Sequence, residues 1–378
     1  MLYSTCCPMR FRLPTHNGVG FTLGTSSALL ALTSCAPVSQ SSTVSTLEPR
    51  TLSSSIYTLA SSSVRSTSVY ESRTVSFALD RIDQRDLPLD HTYRHPATGK
   101  GVTVYVFDGG ISQTHPELAG RVRLGFTGFP DDAKICNPHG TAVAGAIAGS
   151  TLGVAPDAEI VDVKMVQCEK LRGTIKAIVD GAHWVIEDHK AHPGPAVANW
   201  SFIADTASRI PALDTAVTEL RAAGIPVVVS AGNVDVDACK VSPGNSAGTI
   251  VVGASAVLGT KQADGTVQYI DRRSPGTAYG TCIDLYAPGD SVLLPSLDRE
   301  QAPISQLWNG TSMSAGYVSG AAALYLETHP TATPDQVSDE LKRTATINVL
   351  RDTKTTFSRM LYVGTRDTRL TVRTASRR

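Results

Sequence analysis

Short apolar runs alternate with helical patterns along most of the chain between Gly101 and Arg343. The runs are rich in β-branched residues and nearly continuous in hydrophobicity: VTVYVF, AEIVDVKMV, AVANWSF, IPVVVSAGN and TIVVGAS. Longer stretches with helical spacing separate them, such as RGTIKAIVDGAHWVIEDHK and PALDTAVTELRAAG. Strands that are apolar on both faces and cross to helices predict a three-layer α/β fold, with a mostly parallel sheet between two layers of helices.

The first residues of the chain have a different pattern. Arg10 and Arg12 precede an apolar stretch, and no further charged residue occurs before Glu48, which is typical of a secretory signal. The stretch LTSC, ending at Cys35, resembles the lipobox of bacterial lipoproteins, in which the cysteine is acylated. We therefore expect residues 1–35 to be a lipoprotein-type signal peptide. A plain cleaved signal with an incidental cysteine is the alternative.

Composition divides the rest of the chain. More than half of the residues between Ser39 and Ser76 are Ser or Thr, so residues 36–76 are expected to be a flexible spacer. Residues 77–364 have the composition of a globular catalytic domain, and residues 365–378 form a basic tail. With 34 basic and 34 acidic residues the formal net charge is zero, so no overall field favours binding to nucleic acid.

Four side chains suited to acyl-transfer chemistry are expected at one edge of the predicted sheet. Asp108 and Asn233 each end a predicted strand, whereas His139 and Ser312 each begin a predicted helix. Taken singly, each has an ordinary interpretation as a loop or capping residue. Together they supply an acid, a base, an amide donor and a nucleophile at the carboxyl ends of the strands, where parallel sheets bind ligands.

The chain order acid, base, serine is that of subtilisin, whereas an α/β-hydrolase would place its serine first and within G-x-S-x-G. The stretches VYVFDGGI, HGTAVAG, VVVSAGN and NGTSMSAG resemble the active-site blocks of the subtilisin-like serine proteases, most closely the proteinase K branch. LDRIDQRDLPLD, GVAPDAEI, YGTCIDLYAPG and TPDQVSDELKRTAT extend the resemblance over residues 77–364.

The resemblance implies that Ser312 attacks the peptide carbonyl, His139 accepts its proton and Asp108 orients the imidazole. Asn233 and the Ser312 amide would then stabilise the oxyanion.

The resemblance also implies a cleft in which substrate adds as an extended strand between two rims. Its residues would be Leu171, Arg172, Ser201, Phe202, Ile203, Ser230, Ala231 and Gly232. Here the chain departs from the family. Where the family has Ser-Leu-Gly-Gly, this chain has Ser-Phe-Ile-Ala, and where the family has Gly-Ser-Gly, this chain has Lys-Leu-Arg. We expect Arg172 and Ile203 to face one another and to narrow the cleft. Three further departures lie near the triad, namely Gly109, Ala142 and Gly316.

The cysteines and histidines bear on disulfides and metals. Four cysteines follow the spacer, and sequence alone allows three pairings among them. Resemblance to aqualysin-type members implies the pairs Cys136 with Cys168 and Cys239 with Cys282. His183, His189 and His192 lack the H-E-x-x-H pattern, so we expect no metal there. Ala256 replaces the acidic calcium ligand common in the family, which leaves that structural site in doubt, and the chemistry requires no cofactor.

These features lead to one functional hypothesis and one rival. The first is a monomeric serine endopeptidase that acts on polypeptides, secreted or attached to a bacterial cell envelope, with membrane contact only through a lipid on Cys35. The rival is a catalytically weak or silent homologue that keeps the triad and acts as a binding protein.

Overall fold

We describe a computed structural model of the protein, over residues 29–31, 69–132, 134–204 and 209–364. Its helices are α1 Phe77–Ile82, α2 His139–Ala148, α3 Ile175–Ala191, α4 Pro211–Ala222, α5 Thr311–Thr328 and α6 Pro334–Thr344, with a 3-10 turn at Ala238–Lys240. The strands are β1 Leu29–Ala31, β2 Tyr70–Arg73, β3 Thr92–His95, β4 Thr103–Asp108, β5 Val122–Thr127, β6 Glu159–Lys164, β7 Val166–Gln167, β8 Arg172–Thr174, β9 Ala196–Trp200, β10 Ile203–Ala204, β11 Val227–Ser230, β12 Ile250–Lys261, β13 Val267–Arg273, β14 Leu285–Pro288, β15 Val292–Leu297, β16 Pro303–Trp308, β17 Thr346–Ile347 and β18 Arg359–Met360.

A ten-stranded sheet forms the centre of the molecule, in the order β17-β18-β14-β12-β11-β9-β4-β6-β5, with β13 paired to β12. The strands from β18 to β5 are parallel to their neighbours, whereas β13 and β17 are antiparallel additions. Smaller sheets join β10-β1-β8-β7, β15 with β16, and β2 with β3. The predicted three-layer α/β fold is confirmed.

Strand β4 shows why this sheet is covered on both faces. Val104 and Val106 pack in the apolar cluster that includes α2 and α5, while Tyr105 and Phe107 pack in the cluster that includes α3 and α4. Side chains alternate between the faces of a strand, so a strand between two helical layers must be apolar at every position. The continuous run VTVYVF satisfies this requirement and ends at Asp108, at the carboxyl edge of the sheet.

Helices α2 and α5 pack closely because glycine and alanine line their contact. A Cβ on Gly316 would lie 2.9 Å from the Ala146 Cβ, and one on Gly320 would lie 3.0 Å from the Ile147 carbonyl oxygen. A larger residue at either glycine would push the helices apart. This close packing places the first residues of both helices, His139 and Thr311, at the same edge of the sheet.

Two covalent links and one buried ion pair connect distant parts of the chain. Cys136 is bonded to Cys168 and Cys239 to Cys282, the pairing that the resemblance implies. The fully buried guanidinium of Arg81 binds Asp271 through two hydrogen bonds of 2.8 Å. The ion pair attaches α1 to β13.

Most of the predicted terminal segments lie outside the described residues. This is the case for residues 1–35 apart from the backbone of β1, for Cys35, for most of the spacer and for the basic tail. Within the described part of the chain, no helix combines the length and the apolar character needed to cross a membrane.

Candidate active site

Asp108 and His139 form a hydrogen-bonded pair at the carboxyl edge of the sheet. Asp108 is completely buried; its Oδ2 is 2.7 Å from His139 Nδ1, and its Oδ1 accepts a 2.7 Å hydrogen bond from the Gly109 amide. Gly140 permits this approach, because a Cβ there would lie 2.6 Å from the Gly110 carbonyl oxygen and 3.0 Å from the Asp108 Cβ. The acid therefore fixes the imidazole tautomer that leaves Nε2 available as a base.

The environment strengthens His139 as a base. Burial of the imidazole disfavours its protonated form, but the charge and hydrogen bond of Asp108 outweigh burial, so the pKa of His139 is raised. Trp308 lies edge-on to the imidazole, with ring centroids 6.1 Å apart. Because an imidazole must be neutral to accept a proton, a raised pKa means that the form of His139 able to act as a base is lost as the pH falls through that value.

Ser312 lies in the first turn of α5, which begins just after Gly310. Gly310 has φ +137°, a backbone conformation that favours glycine, and a Cβ there would lie 3.0 Å from the Asn233 Nδ2. The Ser312 hydroxyl donates to the Ser201 carbonyl oxygen at 3.2 Å, and among the described residues no hydrogen bond joins it to His139. In return the Ser201 hydroxyl donates to the Ser312 carbonyl oxygen at 3.1 Å. The Ser312 hydroxyl is thus held against the backbone of Ser201.

Asn233 is oriented by Thr311. Its Oδ1 accepts hydrogen bonds from the Thr311 amide at 2.9 Å and the Thr311 hydroxyl at 3.1 Å, while that hydroxyl accepts one from the Gly232 amide at 3.1 Å. Both donors engage the oxygen, so the amide nitrogen is left to donate elsewhere. An amide donor beside a helix N-terminus is the arrangement that an oxyanion hole needs.

The two rims of the cleft are separated by the width of one strand. The backbone of β1 lies between them and runs antiparallel to both β8 and β10. Ala31 is opposite Arg172 on one side and opposite Ile203 on the other. The structure therefore places these two positions on either side of an extended chain, and their role as rims of a substrate cleft stays a prediction.

The other predicted cleft residues differ in how far their side chains are buried. Leu171 is partly exposed and has φ +49°, whereas Ser230 and Ala231 are buried at the end of β11. The Phe202 side chain is buried against Trp200, with stacked rings 5.4 Å apart, so it belongs to the core. The Ile203 side chain covers Gly232, since a Cβ on that glycine would lie 3.1 Å from two of its carbons.

Two of the three histidines considered as metal ligands, His183 and His192, pair with acids. His183 Nε2 is 3.0 Å from a Glu219 carboxylate oxygen, and His192 Nδ1 is 3.3 Å from an Asp188 carboxylate oxygen. Asp132 lies beside Cys136 and Cys168, but both sulfurs are in a disulfide and so are not thiolate ligands. Ala256, at the family's calcium position, is buried in β12 opposite Arg272.

Sequence reasoning missed three contributors to this site: the orienting role of Thr311, the contact of Trp308 with His139, and the buried carboxyl of Asp162. The first two depend on contacts between segments far apart in the chain. Asp162 did leave a signal, because within the run AEIVDVKMV it is a carboxylic acid with a valine on either side.

Known proteins resemble this chain over most of its length. The model of the Subtilase family matches residues 99–368. The extracellular serine proteinase of Thermus sp. strain Rt41A is 40% identical over 298 residues, which cover 78% of this chain and 67% of that protein. Alkaline serine exoprotease A of Vibrio alginolyticus is 36% identical over 289 residues, 76% of this chain and 50% of the relative. The crystal structure of a cold adapted subtilisin-like serine proteinase superimposes with a TM-score of 0.66 at 36% identity, covering 78% of this chain and 99% of that one.

Proposed function

The chain belongs to the subtilase family, and we propose that it is a serine endopeptidase that hydrolyses peptide bonds through Asp108, His139 and Ser312. The observation that carries the proposal is the 2.7 Å hydrogen bond between Asp108 and His139, at the edge where α5 presents Ser312. A buried acid bonded to Nδ1 leaves Nε2 to act as the base. A structural histidine would not need this arrangement beside a helix-terminal serine.

The proposed reaction follows from the positions of these groups. Rotation about its Cα–Cβ bond would redirect the Ser312 hydroxyl from Ser201 to His139, as happens when a substrate tightens an empty site. Ser312 Oγ then attacks the carbonyl carbon while His139 takes its proton. The Asn233 amide and the Ser312 backbone N–H stabilise the oxyanion. His139 next protonates the leaving amine, and a water molecule, deprotonated by the same imidazole, hydrolyses the acyl-enzyme.

Labelling with a fluorophosphonate tests the nucleophile. We expect the wild type to be labelled, Ser312→Ala to be unlabelled, and Ser305→Ala, which changes an exposed serine on β16, to be labelled like the wild type. Circular dichroism and thermal unfolding would verify that each protein is folded. Absence of labelling in folded wild type would refute the proposal and favour the silent binding protein.

Substrates are proposed to bind as an added strand between β8 and β10. The backbone of β1 already makes this arrangement, pairing antiparallel with both rims. Strand addition uses main-chain hydrogen bonds for affinity and alternate side chains for selectivity. Cleavage before Cys35 would remove residues 1–34, and β1 with them, and would open the cleft to other polypeptides.

We propose that Arg172 and Ile203 set the preference for residues upstream of the scissile bond. Ile203 adds volume over Gly232, and the Arg172 guanidinium adds positive potential to the opposite rim. Large apolar groups should be disfavoured at these upstream positions. Peptides with acidic groups there should be cleaved about fivefold faster than by typical relatives, since an exposed ion pair contributes about 0–1 kcal/mol. One peptide library profiled with wild type and with the double variant Arg172→Gly, Ile203→Gly decides the question. Identical upstream preferences would refute the proposal.

Export and attachment through a lipid on Cys35 complete the proposed function. The Thermus relative is named an extracellular serine proteinase, which supports secretion. Expression in a bacterium with a fatty-acid alkyne should label the wild type in the membrane fraction but not Cys35→Ser. Unlabelled wild type in the medium would instead indicate a plain cleaved signal.

A further inference from the structure

Asp162 is a buried carboxylic acid behind the triad. It lies on β6 opposite Val106, two residues before the position that pairs with Asp108. Its neighbours Val161 and Val163 face the α3 and α4 layer, so alternation directs Asp162 to the other side, where α2 lies and Asp108 is found. Only 5% of Asp162 is exposed.

The hydrogen bonds of Asp162 connect it to the loop after the catalytic acid. Its Oδ2 accepts a 3.0 Å hydrogen bond from the Ile111 amide, three residues beyond Asp108. Its Oδ1 is buried and has no partner among the described residues. An unpartnered polar atom in the interior costs stability, so folding alone gives no reason for a carboxyl group within this strand.

Charged groups on two strands act on this carboxyl. Burial and the charge of Asp108 raise the pKa of Asp162 to about 7, against the opposing effects of the Ile111 hydrogen bond and of Lys164 on the same strand. The Lys164 ammonium is itself 3.9 Å from an Asp132 carboxylate oxygen. On the α2 side, the titratable group joined to Asp108 is His139. Asp162 can thus change charge in the range where a histidine base works.

We propose that Asp162 is a positioning residue of the triad, which holds the Asp108 loop through the Ile111 amide and, when ionised, strengthens His139 as a base. The inference rests on the proposed function for its kinetic consequences. Its electrostatic part does not, because a negative charge near the Asp108–His139 pair stabilises the imidazolium whether or not substrate is cleaved.

Two substitutions separate the two effects. Asp162→Asn keeps an oxygen for the Ile111 amide but removes the charge, whereas Asp162→Ala removes both. Asp284→Asn is the matched control: its carboxyl also accepts one backbone hydrogen bond, 2.9 Å from the Val251 amide, and burial raises its pKa too, but it precedes β14 at the opposite edge of the sheet.

The pKa of His139, measured by NMR titration and assigned with His139→Ala, is the readout that does not require activity. We expect Asp162→Asn to lower it by about half a unit or more, and Asp284→Asn to leave it unchanged. In peptide hydrolysis the acid limb of kcat/KM should move to lower pH by the same amount. Asp162→Ala should also lower kcat about tenfold with KM nearly constant, a loss that Asn largely restores.

Each outcome has one meaning. If His139 has the same pKa in wild type and Asp162→Asn, the inference is wrong, even if the wild type is an active protease. If the pKa falls but the wild type hydrolyses no peptide, the proposed function fails while the electrostatic link stands. If Asp162→Ala does not fold, the Asn variant decides alone. Full kcat in folded Asp162→Ala would refute the positioning role.

Discussion

Asn233→Ala tests the oxyanion hole, because the structure separates the two ends of this side chain. Its Oδ1 accepts from the Thr311 amide and hydroxyl, whereas Nδ2 is left as the donor for a developing negative charge. Removing one such donor costs roughly 10²–10³ in kcat, or about 2.7–4 kcal/mol. A donor that acts in the transition state should leave KM nearly unchanged. We expect that result in steady-state hydrolysis of a chromogenic peptide.

The same substitution should also have a measurable effect on stability. Two Thr311 donors lose their acceptor, and each hydrogen bond contributes about 1 kcal/mol, so the free energy of unfolding should fall by about 2 kcal/mol. Kinetics must therefore be measured well below the unfolding transition of the variant. Thr311→Ser keeps the hydroxyl that orients Asn233 and should retain most of kcat, whereas Thr311→Val should lose about tenfold.

One result would remove Asn233 from the mechanism: a folded Asn233→Ala enzyme with the kcat of the wild type. A rise in KM at constant kcat would mean that Asn233 binds the ground state instead. If Thr311→Val were indistinguishable from Thr311→Ser, the orienting role of the hydroxyl would be wrong while the donor role of Asn233 could still hold.

The remaining predictions concern stability and access to the cleft. Reduction should lower the melting temperature, because disulfides with sequence separations of 32 and 43 residues contribute about 3.5–4 kcal/mol each in the chain-entropy estimate; a melting temperature unaffected by reductant would contradict this. Asp271→Ala should cost about 3–5 kcal/mol in urea unfolding, since it leaves the buried Arg81 unpaired, and adding Arg81→Met should recover part of the loss. A cost below 1 kcal/mol would show that Arg81 finds another partner. A chain that keeps residues 1–35 should have a lower kcat/KM than one that begins at residue 36, because β1 occupies the cleft; equal values would argue against that occupancy.

The fold and the principal site residues could be predicted because both depend on local patterns. A parallel strand between two helical layers is apolar at every position, so VTVYVF and VVVSAGN identify strands and the polar residues that end them. The carboxyl ends of parallel strands share one edge, which brings Asp108 and Asn233 to the same region as the first turns of α2 and α5.

What the sequence could not predict depends on how side chains turn once the segments meet. Nothing in SFIA distinguishes a residue that lines the cleft from one that stacks on Trp200, yet Phe202 does the latter. The preference of Ser312 for the Ser201 carbonyl oxygen is likewise a matter of one rotamer. Asp162 could have been recognised as a carboxylic acid between two valines of a predicted strand, but its partner Ile111 belongs to another segment.

The departures in the cleft fall on side chains, while the hydrogen bonds of strand addition belong to the backbone. Arg172 and Ile203 replace residues that are glycine in the family, yet both positions pair with the same residue of β1, so neither side chain prevents an extended segment from entering. Main-chain pairing does not depend on side-chain identity. The space above Gly232 does depend on it, because the Ile203 side chain covers that glycine. These substitutions should therefore alter which peptides are cleaved more than whether peptides bind. A comparison of peptides differing at a single upstream residue would measure that selectivity directly.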